Sequence, residues 1–183
     1  MNYIKTEIND VYILEPRVFG DARGYFMETF RQSDFEAQTG MNGCFVQDNE
    51  SKSSRGVLRG LHYQRGEWSQ AKLVRVVSGT VLDVAVDLRK SSPTFGRYVM
   101  VELSGENKRQ LYIPRGFAHG FLVMSPEAVF CYKVDNVYAP QSECSIRYDD
   151  PTIGIQWPID ASELNLSPKD TSGVSFQDAV LFD

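Results

Sequence analysis

TVLDVAVDLR (residues 80–89) decides the fold class. Read with a period of two, it puts Leu82, Val84, Val86 and Leu88 on one face and Asp83, Ala85 and Asp87 on the other. Strict alternation belongs to a strand, whose side chains point to opposite faces in turn; a helix would repeat its apolar residues three and four apart. The next segment, RYVMVELS (97–104), repeats the pattern, with Val99, Val101 and Leu103 opposite Tyr98, Met100 and Glu102.

Working outward, the same reading predicts strands in VYILEP (11–16), GYFMETF (24–30), CFVQDN (44–49), VLRGLHYQ (57–64), AKLVRVVSG (71–79), RQLYIP (109–114), GFLVMS (120–125), AVFCYKV (128–134) and ECSIRY (143–148). Turn-forming stretches separate them: SSRG, RGEWS, VSGT, SSPTFG, SGEN and SPEA. Many short strands at such spacing predict a sandwich or barrel rather than an α/β sheet. One helix is expected in SDFEAQTG (33–40), with Ser33 as its cap, Glu36 completing a capping box and Gly40 ending it. From about Pro158 the tail reads as loop, with a short helical turn near Ala161–Leu164. No repeat or linker interrupts the 183 residues, so the expectation is a single domain over 1–183.

The net charge of −5, with no run of like charge longer than a few residues, argues against a nucleic-acid surface. It leaves room for a locally basic pocket that takes a small anion. No stretch approaches the roughly 20 apolar residues of a membrane helix, and MNYIKTEINDVYILEP lacks an apolar signal core. Cys44, Cys131 and Cys144 are odd in number and far apart. They read as free thiols of a cytoplasmic protein.

The chain has two histidines. His62 lies in GVLRGLHYQ (56–64), three positions after Arg59, and an isolated strand histidine is more often core than catalyst. A regular strand would put Arg59 and His62 on opposite faces; a bulge at Gly60 would bring them to one side. Lys72 shares the face of Val74 and Val76. It is either an exposed strand residue or an inward cation that needs a partner. His119, in IPRGFAHGF (113–121), sits where a loop is expected to feed a strand. Gln47, Asp48 and Asn49 form a polar triplet that reads equally as a turn. Arg23 and Glu28 read equally as a solvated strand edge, and Tyr132 and Tyr138 as packing residues. A metal centre is not expected, because the residue two after His62 is Gln64 and the usual H-x-H pair is missing.

Together, DARGYFMETF, FVQDNESKSSRGVLRGLHYQ, QAKLVRVVSGTVLDVAVDLRKSSPTFG, LSGENKRQLYIPRGFAHGF, YKVDNVYAP, ECSIRYDDPTIGIQWP and LSPKD resemble the dTDP-4-dehydrorhamnose 3,5-epimerase family. The similarity runs in order from about residue 11 to about residue 170. It implies an all-β, cupin-type jelly roll of two antiparallel sheets with a few short helices, acting as a homodimer on a dTDP-sugar without metal or organic cofactor. It implies His62 as base, Tyr132 as acid, Asp170 as the partner of His62, and Lys72 at the C4 oxygen of the sugar. Arg23, Glu28, Gln47, Asp48, Asn49, Arg59, His119, Glu143 and Lys169 are the implied substrate contacts, with Tyr138 stacking on thymine. Arg23, Arg59 and Lys169 would take the diphosphate, and the early strand bearing Arg23 and Glu28 can cross to a partner subunit in this family. Lys72 is the cation expected to ease ionisation of Tyr132. Close rivals are relatives that invert one centre or shift the ketone; more distant ones are a metal-dependent cupin oxygenase and a non-catalytic sugar-nucleotide-binding module.

Overall fold

A computed structural model describes residues 1–41 and 44–183. It contains thirteen strands: β1 (Asn2–Lys5), β2 (Tyr12–Glu15), β3 (Val18–Asp21), β4 (Gly24–Met27), β5 (Gln47–Ser54), β6 (Leu58–Gln64), β7 (Lys72–Ser78), β8 (Thr80–Asp87), β9 (Tyr98–Ser104), β10 (Gln110–Ile113), β11 (Phe117–Val123), β12 (Glu127–Val134) and β13 (Glu143–Ser145). Two helices, α1 (Gln32–Thr39) and α2 (Pro168–Thr171), and a few 3₁₀ turns accompany them, one at Ala161–Glu163 where a helical turn was expected. Six strands form one sheet in the order β1-β2-β10-β7-β12-β5, five form another in the order β13-β6-β11-β8-β9, and β3-β4 is a separate hairpin. The strand pairs within these sheets are antiparallel, giving the expected jelly roll.

Three apolar clusters hold it together. Between the sheets lie Val74 and Val76 of β7, Val99, Val101 and Leu103 of β9, Phe121 of β11 and Phe130 of β12. Against the outer face of the six-stranded sheet, Phe35 of α1 packs with Leu14, Leu73 and Tyr112. Against the outer face of the five-stranded sheet, the tail presses Ile153, Ile155 and Phe176 onto Leu61, Val84, Val86 and Leu88. Each fully buried side chain of this kind stabilises the fold by about 1.5–3 kcal/mol.

The tail explains a reversal in β8. The aliphatic face, Val84, Val86 and Leu88, points outward beneath the tail. Asp83 and Ala85 point into the sandwich, where Asp83 is completely buried. With both faces covered, alternating polarity no longer marks the inside.

Other local expectations change too. Helix α1 begins at Gln32 with Arg31 at its N-cap and no side-chain cap bond. Ser33 is therefore already helical, and Glu36 accepts from Gln32 Nε2 at 2.6 Å instead of closing a capping box. Gly40 does end the helix, in the left-handed conformation at φ 71°. The capping box occurs on α2, where Ser167 and Asp170 bond each other's backbone N–H groups. Residues 47–49 open β5 rather than close a strand, and His119 lies inside β11. Strands β1 and β3 were not anticipated.

Candidate active site

Where β6 crosses β11 the ladder slips. His119 pairs with His62 but Phe121 pairs with Arg59, so β6 carries one extra residue. This is the bulge anticipated at Gly60, and Arg59 and His62 both line one cavity. Only glycine fits there: Gly60 has φ +145°, and a Cβ on it would meet the Gly120 Cα at 2.6 Å.

The cavity measures about 510 Å³, a size suited to a small organic ligand. The five-stranded sheet contributes Arg59, His62 and Gln64 from β6, His119 from β11 and Glu143 from β13. The six-stranded sheet faces it with Lys72 of β7, Tyr132 of β12, and Gln47 and Asn49 of β5. Helix α2 brings Lys169 and Asp170, and the loop after β12 brings Tyr138. Lys72 thus points inward with Val74 and Val76, as one of its two readings required.

Asp170 is held from several directions. Its Oδ1 accepts from Gly60 N–H at 3.0 Å, and its Oδ2 accepts from Ser167 N–H at 3.0 Å and from the Ser167 hydroxyl at 2.5 Å. Burial alone would raise this carboxyl, but these hydrogen bonds and His62 hold it below the usual carboxylate range. His62 Nε2 lies 3.1 Å from Asp170 Oδ1, off the line of a good hydrogen bond. Burial pushes the imidazole down to about 4, against the opposing pull of Asp170. His62 is therefore neutral at physiological pH.

Lys72 is pushed down by burial to about 8; Asp83 and Glu143 oppose the shift and Lys169 adds to it. Tyr132 is raised by burial, with Arg59 and Lys169 opposing, so it keeps its proton. Those two cations, rather than Lys72, are the ones that favour its ionisation. Lys169 pairs with Glu143 Oε1, and Glu143 Oε2 accepts from the Tyr138 hydroxyl at 3.0 Å. Arg59 is aimed by two bonds of 3.2 Å to the Ser53 hydroxyl.

Asp83 is the residue that sequence reasoning missed. Its two oxygens lie 3.1 and 3.0 Å from His119 Nε2, and it is the main group keeping Lys72 charged. Its position in an alternating strand was visible; that the polar face was the interior was not.

Three anticipated residues lie elsewhere. Arg23 sits at the tip of the β3–β4 hairpin, paired with Asp21. Glu28 follows β4 and pairs with Arg31, and Asp48 faces outward to Lys133. Among the described residues, no three His, Cys, Asp or Glu side chains converge as metal ligands.

The family model for dTDP-4-dehydrorhamnose 3,5-epimerase matches residues 5–178. A dTDP-4-dehydrorhamnose 3,5-epimerase of Shigella flexneri is 59% identical over 182 residues, covering 100% of this chain and 99% of that protein. Among solved structures, the dTDP-6-deoxy-D-glucose-3,5-epimerase of Legionella pneumophila Philadelphia 1, in complex with dTDP-4-keto-L-rhamnose, is 51% identical with a TM-score of 0.93. That match covers 97% of this chain and 93% of the other. A 3'-monoepimerase from Streptomyces bikiniensis, in complex with dTDP-quinovose, is 36% identical with a TM-score of 0.89, covering 95% of this chain and 87% of the other. The cavity, the fold around it and these similarities agree: the chain belongs to the dTDP-4-dehydrorhamnose 3,5-epimerase family.

Proposed function

We infer that this chain inverts C3 and C5 of a dTDP-linked 4-keto-6-deoxyglucose, giving dTDP-4-dehydro-L-rhamnose. The observation that carries the mechanism is the placement of His62 and Tyr132 on opposing sheets across one cavity. C3 and C5 both flank the C4 carbonyl, so each proton is acidic once the enolate oxygen is stabilised. His62, neutral and oriented by Asp170, removes the proton with its other ring nitrogen. Lys72 faces the C4 oxygen, where negative charge develops; a preorganised donor of this kind is worth about 3–4 kcal/mol. Tyr132, protonated on the opposite wall, delivers the new proton to the other face of the ring. His62 then passes its proton to solvent and Tyr132 is reprotonated, which readies the site for the second centre.

Arg59 and Lys169 are the diphosphate ligands within this chain's own cavity, the first through its planar fork and the second as a point charge. Gln47, Asn49, His119 and Glu143 contact the substrate, and the exposed ring of Tyr138 stacks on thymine.

The working unit is a homodimer. The β3–β4 hairpin exposes Val18, Phe19, Tyr25 and Phe26, the last at 70%, an apolar surface that a second copy would cover. Seated on the partner, the hairpin brings Arg23 and Glu28 to the other cavity. Asp48, turned outward to Lys133 on the strand that carries Gln47 and Asn49, takes its substrate role in the same assembled state. Free Cys44, Cys131 and Cys144 agree with a cytoplasmic setting. No helix among the described residues is long and apolar enough to cross a membrane.

The deciding experiment is turnover of dTDP-4-keto-6-deoxyglucose in heavy water, with a 4-keto reductase and NADPH trapping the product for NMR. Deuterium at both C3 and C5 of dTDP-L-rhamnose is the expected result. Label at one inverted centre alone would make the protein a monoepimerase. Absence of label and turnover would overturn the assignment.

A further inference from the structure

Gln64 occupies the position where a metal-binding cupin would carry its second histidine, and the mechanism above gives it no task. It is 4% exposed and forms part of the cavity wall, yet its polar atoms are turned to backbone. Nε2 donates to the Trp68 carbonyl at 2.7 Å and to the Val137 carbonyl at 3.1 Å, while Oε1 accepts from Ala139 N–H at 2.7 Å. Two of these three bonds grip the residues immediately before and after Tyr138. Gln70 adds a bond to the Asn136 carbonyl at 2.8 Å. Tyr138 itself is 53% exposed, so its position depends on the backbone beneath it and on the single bond to Glu143. A ring on an unrestrained loop would lose conformational freedom when it stacked, and affinity would fall accordingly.

We propose that Gln64 is a positioning residue for nucleotide recognition: by clamping the backbone on both sides of Tyr138, its amide preorganises the ring that stacks on the base. The inference rests on the dTDP-sugar reading. Only a side chain with two donors and an acceptor can hold all three backbone groups from one buried position. Leucine offers none of these bonds, and glutamate keeps the acceptor but loses both donors.

The test is a double-mutant cycle of Gln64→Leu and Tyr138→Ala, read by calorimetric binding of dTDP and by steady-state kinetics. Gln64→Leu is expected to weaken dTDP binding about tenfold, within the range of a base–aromatic stack. KM should rise by a similar factor, with the loss falling on KM rather than kcat. In the Tyr138→Ala background the same change should cost less than about twofold, because the ring it acts through is gone. Equal losses in both backgrounds, or a loss confined to kcat, would overturn the proposal. If Gln64→Leu does not fold, Gln64→Glu enters the same cycle with the same expectations. A wild-type protein that binds no dTDP would overturn the nucleotide reading and this inference with it; binding with an additive cycle would overturn the inference alone.

Discussion

The two histidines are neighbours in the ladder, His119 opposite His62, and each faces an aspartate, yet their surroundings differ. Asp170 is fastened by Gly60 and Ser167 and kept ionised, while His62 lines the cavity beside it. Asp83 and His119 are both buried, and burial pushes Asp83 up and His119 down, with His119 and Lys72 opposing the shift of Asp83. His119 also stacks against Phe130, with ring centres 6.1 Å apart. The same two residue types serve different ends: a mobile proton needs a fixed, ionised carboxylate and access to substrate, whereas a buried pair shapes the field around Lys72.

The largest expected effect separates the two pairs directly. His62→Asn should lower kcat by about 10³–10⁴, near the upper end for a lost general base. His119→Asn should cost only about tenfold in kcat/KM, the loss of one polar contact. Equal losses in initial-rate assays would break the comparison. Lys72→Met should cost about 10²–10³ in kcat, as for removal of one oxyanion donor, with circular dichroism showing an unchanged fold.

The pH profile sharpens the contrast next. In the proposed mechanism His62 acts neutral and Lys72 charged, so kcat/KM should rise with an acid limb near 4 and fall with an alkaline limb near 8. Asp170→Asn removes the main group that raises His62, which moves the acid limb lower. Asp83→Asn removes the main group that raises Lys72, which moves the alkaline limb below 8. An Asp83→Asn profile with an unmoved alkaline limb would separate Asp83 from Lys72.

The smallest effect is on stability. His62 has its folded value near 4 against 6.5 for the free side chain, so the unfolded chain binds the extra proton between those pH values. Stability should fall as pH drops from 6.5 toward 4, by up to about 3 kcal/mol from this group. His62→Asn should flatten that part of a urea-unfolding series measured against pH.

Much of the site was legible before folding. The glycine between Arg59 and His62 allowed a bulge where a regular strand would have sent them to opposite faces, and the ladder does slip there. Lys72 shared a face with Val74 and Val76, which left an inward cation open as one reading. Asp83 was in view as a strand residue, but its role depended on which face was covered. The cap expected at Ser33 did not form, because α1 starts earlier, at Gln32, and Glu36 bonds to Gln32 rather than closing a box on Ser33.

By itself, the sequence determined the all-β class, most strand positions and the chemical inventory of the cavity, because period-two alternation and turn residues act over a few positions. Tertiary structure alone decided which face of β8 is interior, that Tyr132 stands across from His62, and which cations face it. These depend on contacts between residues far apart in the chain, set by the closing of two sheets and the laying of the tail over one of them. Burial then supplied the shifts at His62 and Lys72, since desolvation acts on a side chain only once its surroundings have been assembled.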